Sequence, residues 1–171
     1  MASELRVDRI IPTTGIPTGG GGGIIQIVNH ESTSTQTVTA TSATDITAMT
    51  TTITRKNADS KIFVYHSASI NFYCGSGGNS GAGYVYILRD GTTIDYGENY
   101  VKIGDTTNNY INNFNLVCST LILDDPPAST SAITYKIQGN TASGGESRSM
   151  RYNSIMGSAR IAKLILMEVS A

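Results

Sequence analysis

The sequence predicts an all-β fold, an antiparallel β-sandwich preceded by an extended N-terminal segment, and three observations carry that expectation. Charged residues make up only 15% of the chain, and their place is taken by Thr, Ser, Asn and Gly, which suit strand surfaces and turns better than helix interiors. From Ile24 almost to the C-terminus, apolar residues recur with a period of two. Turn residues then divide that pattern into strand-length pieces.

Residues 4 to 18 carry apolar side chains at Leu5, Val7, Ile10, Ile11 and Ile16, with no helical period and with prolines at 12 and 17. Such a strip buries too little of its own surface to order itself, so it is expected to be extended and to dock on a partner or on copies of itself. The glycine run Gly19 to Gly23 reads as a hinge or, in the alternative, as backbone packed tightly around a three-fold axis where only glycine fits; it lacks the Gly-Lys-Ser/Thr ending and following helix of a phosphate loop. The expected division is therefore a leader with its Gly-rich linker over 1–23 and a sandwich over 24–171.

Ile24 to Val28 reads as a short apolar strand, followed by a Ser/Thr-rich stretch over 32–44 and a threonine-rich strand from Ile46 to Thr54. Lys56 to Ser60 is a turn. The strongest strand is 61–74, with Ile62, Val64, Ala68, Ile70, Phe72 and Cys74 on one face and Ser67, Ser69, Asn71 and Tyr73 on the other. After a small-residue loop over 75–83, Tyr84 to Arg89 runs into Asp90-Gly91, the best short-range hairpin signal in the chain. The segment from Tyr96 to Tyr110 is polar and reads as a loop or a short edge strand. Phe114, Leu116, Cys118, Thr120 and Ile122 alternate up to the stop at Pro126-Pro127. Ile133, Tyr135 and Ile137 form the next strand, and 139–147 is a Gly/Ser loop. The last strand, 160–169, is apolar on both faces, as expected at the centre of a sheet or at a subunit interface.

Composition also narrows the function. Twelve basic and thirteen acidic side chains nearly cancel, so no long-range field steers nucleic acid or an anionic membrane onto the surface. The first residues have no signal-peptide pattern, and no apolar run approaches the roughly 20 residues of a bilayer-spanning helix. A soluble protein made in the cytoplasm is expected, with no nucleic-acid partner and no membrane insertion. Cys74 and Cys118 match neither a disulfide framework nor a zinc pattern, and read as reduced thiols in or near a core, with a late bridge between them after lysis as the alternative.

Catalytic chemistry finds little material. His30, beside Glu31 at a strand end, reads as solvated, and His66, on the apolar face of the strongest strand, as a hydrogen-bonded core histidine. No serine sits in a Gly-x-Ser-x-Gly elbow. Asp124-Asp125 reads as turn-forming, since adjacent carboxylates on a strand point to opposite faces. Asp105, Asn108 and Asn109 lack calcium-loop spacing, so neither a metal nor a cofactor is expected and the chain reads as a non-enzyme. Arg148 and Arg151 read as solvated or inter-subunit groups in a polar loop. Tyr96, Tyr100 and Tyr110, in polar surroundings, are candidate receptor contacts whose rings suit sugar faces.

The opening Ser3-Glu4-Leu5-Arg6-Val7-Asp8-Arg9-Ile10, with Thr13, Gly15 and glycines before Ile24-Ile25-Gln26, resembles the virion-anchoring leader of tail-fibre and spike proteins from bacterial viruses, especially marine and cyanobacterial ones. Ile53-Thr54-Arg55 with Ser60-Lys61-Ile62, Ile87-Leu88-Arg89-Asp90-Gly91, Tyr135-Lys136-Ile137-Gln138 and Ala162 to Val169 resemble the C-terminal knob of the same proteins. The resemblance spans nearly the whole chain. It implies a jelly-roll-like sandwich similar to the C1q and tumour-necrosis-factor knobs, and a homotrimer within a virion assembled in the host cytoplasm. It also implies docking on other tail or head proteins through Leu5, Val7, Ile10, Ile11 and Ile16, trimer contacts through Ile24, Ile25 and Ile27, and attachment to a host glycan or protein. One departure is the absence of a long shaft between leader and knob. A head-decoration or vertex knob is therefore the second expectation, and a polysaccharide depolymerase, for which the acids are too sparse, the third.

Overall fold

The computed structural model describes residues 23–74, 81–101, 113–141, 148–155 and 158–170. Among them every regular element is a strand: β1 (Ile24–Ser32), β2 (Gln36–Val38), β3 (Thr44–Thr54), β4 (Lys61–Cys74), β5 (Gly81–Arg89), β6 (Thr92–Val101), β7 (Asn113–Asp124), β8 (Ala132–Thr141), β9 (Arg148–Tyr152), β10 (Ser154–Ile155), β11 (Ser158–Ala159) and β12 (Ala162–Val169). The leader positions Leu5, Val7, Ile10, Ile11 and Ile16 lie outside the described residues.

Two antiparallel sheets hold these strands. Sheet A runs β1-β12-β4-β7, with β9 and β2 continuing it on the same side of β4 as β12. Sheet B runs β3-β8-β5-β6, and β10 and β11 form a small hairpin of their own. The order of crossings between the sheets, with β1, β4, β7 and β12 in one and β3, β5, β6 and β8 in the other, is the double Greek key of a jelly roll. The expected fold class is the one the sandwich adopts.

β4 is the spine of sheet A, pairing with β7 along its whole length on one side and with β12 and then β9 on the other. Its even-numbered side chains from Ile62 to Phe72 point inward and are buried. They meet Ile46, Met49, Ile53, Val85, Ile87, Ile133, Tyr135 and Ile137 of sheet B in one continuous core. β12, apolar on both faces, lies between β1 and β4 as its pattern predicts. The Asp90-Gly91 turn has φ of 47° and 86°, the two positive values that a tight type I′ hairpin demands and that glycine adopts without strain.

Polar groups tie the layers where the core ends. Asp124, buried at the end of β7, accepts from Arg89 Nη1 at 2.6 Å and from the Tyr135 hydroxyl at 2.6 Å, bridging sheet A to β5 and β8. Glu168 of β12 accepts from the backbone N–H groups of Lys56 and Asn57, from Ser60 Oγ at 2.5 Å and from Gln26 Nε2 at 2.5 Å. It thereby clamps the β3–β4 turn, while buried Arg55 in that turn donates to the carbonyls of Ser60 and Pro127. Asn153, at φ 56°, donates to the carbonyls of Ser32, Ser34 and Arg160 where β1 gives way to β2 and β9 to β12.

Several expectations are corrected. Arg148 and Arg151 stand on a strand, β9, in which Met150 and Tyr152 are completely buried; the polar residues around that short apolar pair had read as loop. β6, the edge strand of sheet B, runs to Val101 and takes in the start of the 96–110 segment, which had read as a loop or a short edge strand. β2 interrupts the Ser/Thr-rich stretch, and β8 continues to Thr141. His30 is half-buried and hydrogen-bonds the Ala48 carbonyl at 2.7 Å, since even-numbered residues of β1 from Gln26 face inward. Asp124 is a cross-sheet ligand rather than a turn former, whereas Asp125 points outward to Lys61 at 3.2 Å. Cys118 lies opposite Ala68 and Cys74 opposite Arg148. The two cysteines are thus separated along β4 by the span from 68 to 74, about 20 Å, too far for an intrachain disulfide.

Candidate functional site

The outer faces of the two sheets differ sharply, and the difference follows from strand pattern. On sheet A the odd-numbered residues of β4, β7, β12 and β1 face outward, and register sets them in transverse rows. One row is Ile27, Met167, Phe63 and Leu123; the next is Asn29, Ile165, Tyr65 and Leu121. The two rows make an apolar patch roughly 20 Å wide across four strands, and Val117 lies farther along β7, past Ser119 and opposite Ser69. Leu121 is 59% exposed, Leu123 50%, Val117 66% and Ile27 56%.

The patch gives way to polar groups along the strands. Glu31, Lys163, Ser67 and Ser119 form the following row, with Lys163 Nζ 3.2 Å from Glu31. Hydrogen bonds from Lys163 and Asn29 hold the Glu31 carboxyl below its usual value. Beyond them the Arg151 guanidinium lies over the Tyr73 ring at 5.0 Å, and Asn71 donates to Asn115 at 2.9 Å. Within the patch, hydrogen bonds to Ser119 and Ser67 lower the Tyr65 hydroxyl, so its polar end is satisfied within the sheet.

Of the expected trimer contacts, Ile27 joins this patch directly. Ile24 is exposed at its edge opposite Val169, and Ile25 is half-buried beside the register shift between Ile24 and Gln26. Sequence reading named trimer contacts on β1 and read 160–169, which holds Ile165 and Met167, as central to a sheet or at a subunit interface. It did not single out Phe63, Leu121 or Leu123, although β7 carries apolar residues at both parities, the available signal.

Sheet B presents a different surface. Across its four strands one row reads Asp45, Gln138, Tyr86 and Tyr96. Tyr84, beside Tyr86 on β5, completes a triangle of rings with centroids 6.0, 6.1 and 6.4 Å apart. Tyr86 is anchored by Asn140 Nδ2, which donates to its hydroxyl at 3.2 Å. Asp45 accepts from Gln138 at 2.6 Å and pairs with Lys136 at 2.9 Å, and those bonds lower its pKa. Tyr96 is 63% exposed. Of the other expected receptor contacts, Tyr100 lies on β6, and Tyr110 is outside the described residues.

Among the described residues no group of three or more His, Cys, Asp or Glu side chains is placed to hold a metal ion. No protein-family model matches the sequence, and no curated protein matches it. Among solved structures the chain is similar to dimeric latent PorU from Porphyromonas gingivalis, at 13% identity and TM-score 0.37, covering 89% of this chain and 14% of that one. It is also similar to the infectious bursal disease virus VP2 subviral particle, at 14% identity and TM-score 0.39 over 94% of this chain and 44% of that one. A structure of the Gt strain of that virus gives 15% identity and TM-score 0.33 over 93% and 42%. The chain spans less than half the length of each of these proteins, and similarity at this level identifies no family.

Proposed function

We propose that this chain is a non-enzymatic structural protein of a bacteriophage virion, a homotrimeric tail fibre or spike. Its N-terminal segment fixes it to the particle and its sandwich is presented to the host. The observation that carries the reading is the apolar outer face of sheet A. The sandwich already has a complete core between its sheets, and outside it Leu121, Leu123 and Ile27 stand exposed around half-buried Phe63, Ile165 and Met167. Contiguous exposed apolar surface of this kind marks an assembly site. Its polar continuation, from the Glu31–Lys163 pair to Tyr73 and Arg151, gives the patch the apolar centre and polar margin of a protein interface. The leader-like opening residues and the knob-like segments support a trimer anchored by its N-terminus.

Light scattering of the purified chain at micromolar concentration tests the self-association. A stable trimer is expected, dispersed to monomers by Leu121→Asp with an unchanged circular-dichroism spectrum. A wild-type monomer overturns the reading. Electron cryo-microscopy of the virion then places the chain on tail or head.

A further inference from the structure

We infer that the tyrosine row on the outer face of sheet B is a binding surface for an uncharged saccharide chain. This deepens the attachment role proposed above and rests on that reading. Exposed large apolar side chains crowd the outer face of sheet A, whereas among the described residues of sheet B the exposed large apolar or aromatic group is Tyr96. Assembly through sheet A would bury the first face and leave the second outward.

The chemistry of the row selects the ligand. Tyr84, Tyr86 and Tyr96 lie within 6.4 Å of one another, centroid to centroid. A tyrosine offers an apolar ring and a polar edge, as a pyranose offers C–H faces and hydroxyl edges, and each ring is ordered at the cost of only two torsions. Mutual ring contact and the Asn140 bond to Tyr86 reduce that cost further. Alongside the rings, Gln138, Asp45 and Lys136 continue the row toward β3, about 15 Å from β6, with both donors and acceptors for hydroxyls. Asp45 and Lys136 neutralise each other, so the row has no net charge with which to hold a phosphate or an acidic polymer. An elongated, neutral, hydroxyl-bearing chain meets those conditions. Beside the rings the row is polar throughout, with Gln138, Asp45 and Lys136 in place of the apolar centre of a protein interface, which favours a saccharide over a protein ligand.

The test is binding of the intact chain to an array of neutral and acidic bacterial cell-surface polysaccharides. It is followed by saturation-transfer NMR on the neutral oligosaccharide that binds best, with Leu121→Asp protein as a second sample. Retention of neutral polysaccharides is expected, with Tyr96→Ala weakening each site between about two- and tenfold while melting as wild type does. Gln138→Ala should weaken it as well. Retention of acidic polysaccharides alone, no retention at all, or full affinity in Tyr96→Ala overturns the inference, as does loss of binding to a protein receptor in that variant with no change toward saccharides. Failure of the trimer reading is visible separately: a monomeric wild type that still binds neutral saccharide through Tyr96 keeps this site and loses only the gain from multivalency.

Discussion

Nε2 of His66 lies 2.6 Å from the hydroxyl oxygen of Tyr152, and both side chains are completely buried where β4 meets β9. The rings stack at 5.9 Å between centroids. Burial drives the imidazole pKa down from 6.5 to about 4 and pushes the Tyr152 hydroxyl up. The pair is therefore neutral across ordinary pH, and the histidine is a packing and hydrogen-bonding group.

A pH dependence of stability follows. In the unfolded chain His66 takes up a proton near pH 6.5, while in the sandwich it does so only near pH 4. The unfolded state binds more protons between those values, so stability is fully present above about 6.5 and falls as pH drops toward 4, by about 3 kcal/mol in all. Urea unfolding at half-unit pH steps measures this. His66→Gln should flatten the profile across that window, and a wild-type midpoint unchanged between pH 6.5 and 4.5 would contradict the assignment.

Glu168 acts in the next window down. Burial works to raise its pKa, but hydrogen bonds from Ser60, Lys56, Asn57 and Gln26 outweigh that and lower it from 4.5. Its contribution is present above about pH 4.5 and is lost as pH falls through the lower folded value. Glu168→Gln replaces a four-residue acceptor with an amide that has one acceptor oxygen, leaving N–H groups of the β3–β4 turn unpaired. A loss of about 2–4 kcal/mol at pH 7 is expected, read by thermal melting, with a smaller difference from wild type at pH 3.

Asp124 joins the sheets through Arg89 and Tyr135. Burial, the hydrogen bond to Asp124 and its charge raise the Tyr135 hydroxyl above its ordinary value, so that hydroxyl remains a donor. Asp124→Asn strands the Arg89 guanidinium against a neutral amide and should cost about 3 kcal/mol. Tyr135→Phe, which leaves the ion pair in place, should cost about 1 kcal/mol. Equal losses in the two variants would mean that the charge of Asp124 is not what bridges the sheets.

How much of this was legible differs by element, for physical reasons. β4 and β12 could be read because a long period-two run leaves few alternatives, and Asp90-Gly91 because its two positive φ values are costly for most residues. β9 was not, since Met150 and Tyr152 are a single buried pair among Gly, Ser and Arg, below the length at which period two separates from chance. The tyrosine row was hidden for another reason. Regular pairing outward from Arg89 and Thr92 would set Tyr86 against Asp95, but the shift between Ile87 and Leu88 sets it against Tyr96. A one-residue bulge has no sequence signature here, and it decides which side chains share a face. The apolar outer face of sheet A was half legible: Phe114, Leu116, Cys118, Thr120 and Ile122 stand out as one alternating set, but Val117, Leu121 and Leu123, at the other parity, are as apolar as they are.

Two glycines give the last prediction. A Cβ at Gly83 would meet the backbone carbonyl of Asn140 and lie 2.8 Å from the Phe72 ring, whereas one at Gly139 would meet the terminal methyl of Met150, with Ile46 at 3.6 Å. A carbonyl held in a ladder cannot step aside without breaking its pairing, so Gly83→Ala should destabilise by about 3 kcal/mol or more. The Met150 methyl turns on a flexible chain, so Gly139→Ala should cost about 1–2 kcal/mol as the side chain repacks. The added methyl of Gly139→Ala fills part of the cavity left by Met150→Ala, so the double variant should be more stable than the two single losses predict by about 1 kcal/mol. Strict additivity in that cycle, or a milder effect at Gly83 than at Gly139, would show that the sheets are not packed as closely as these contacts require.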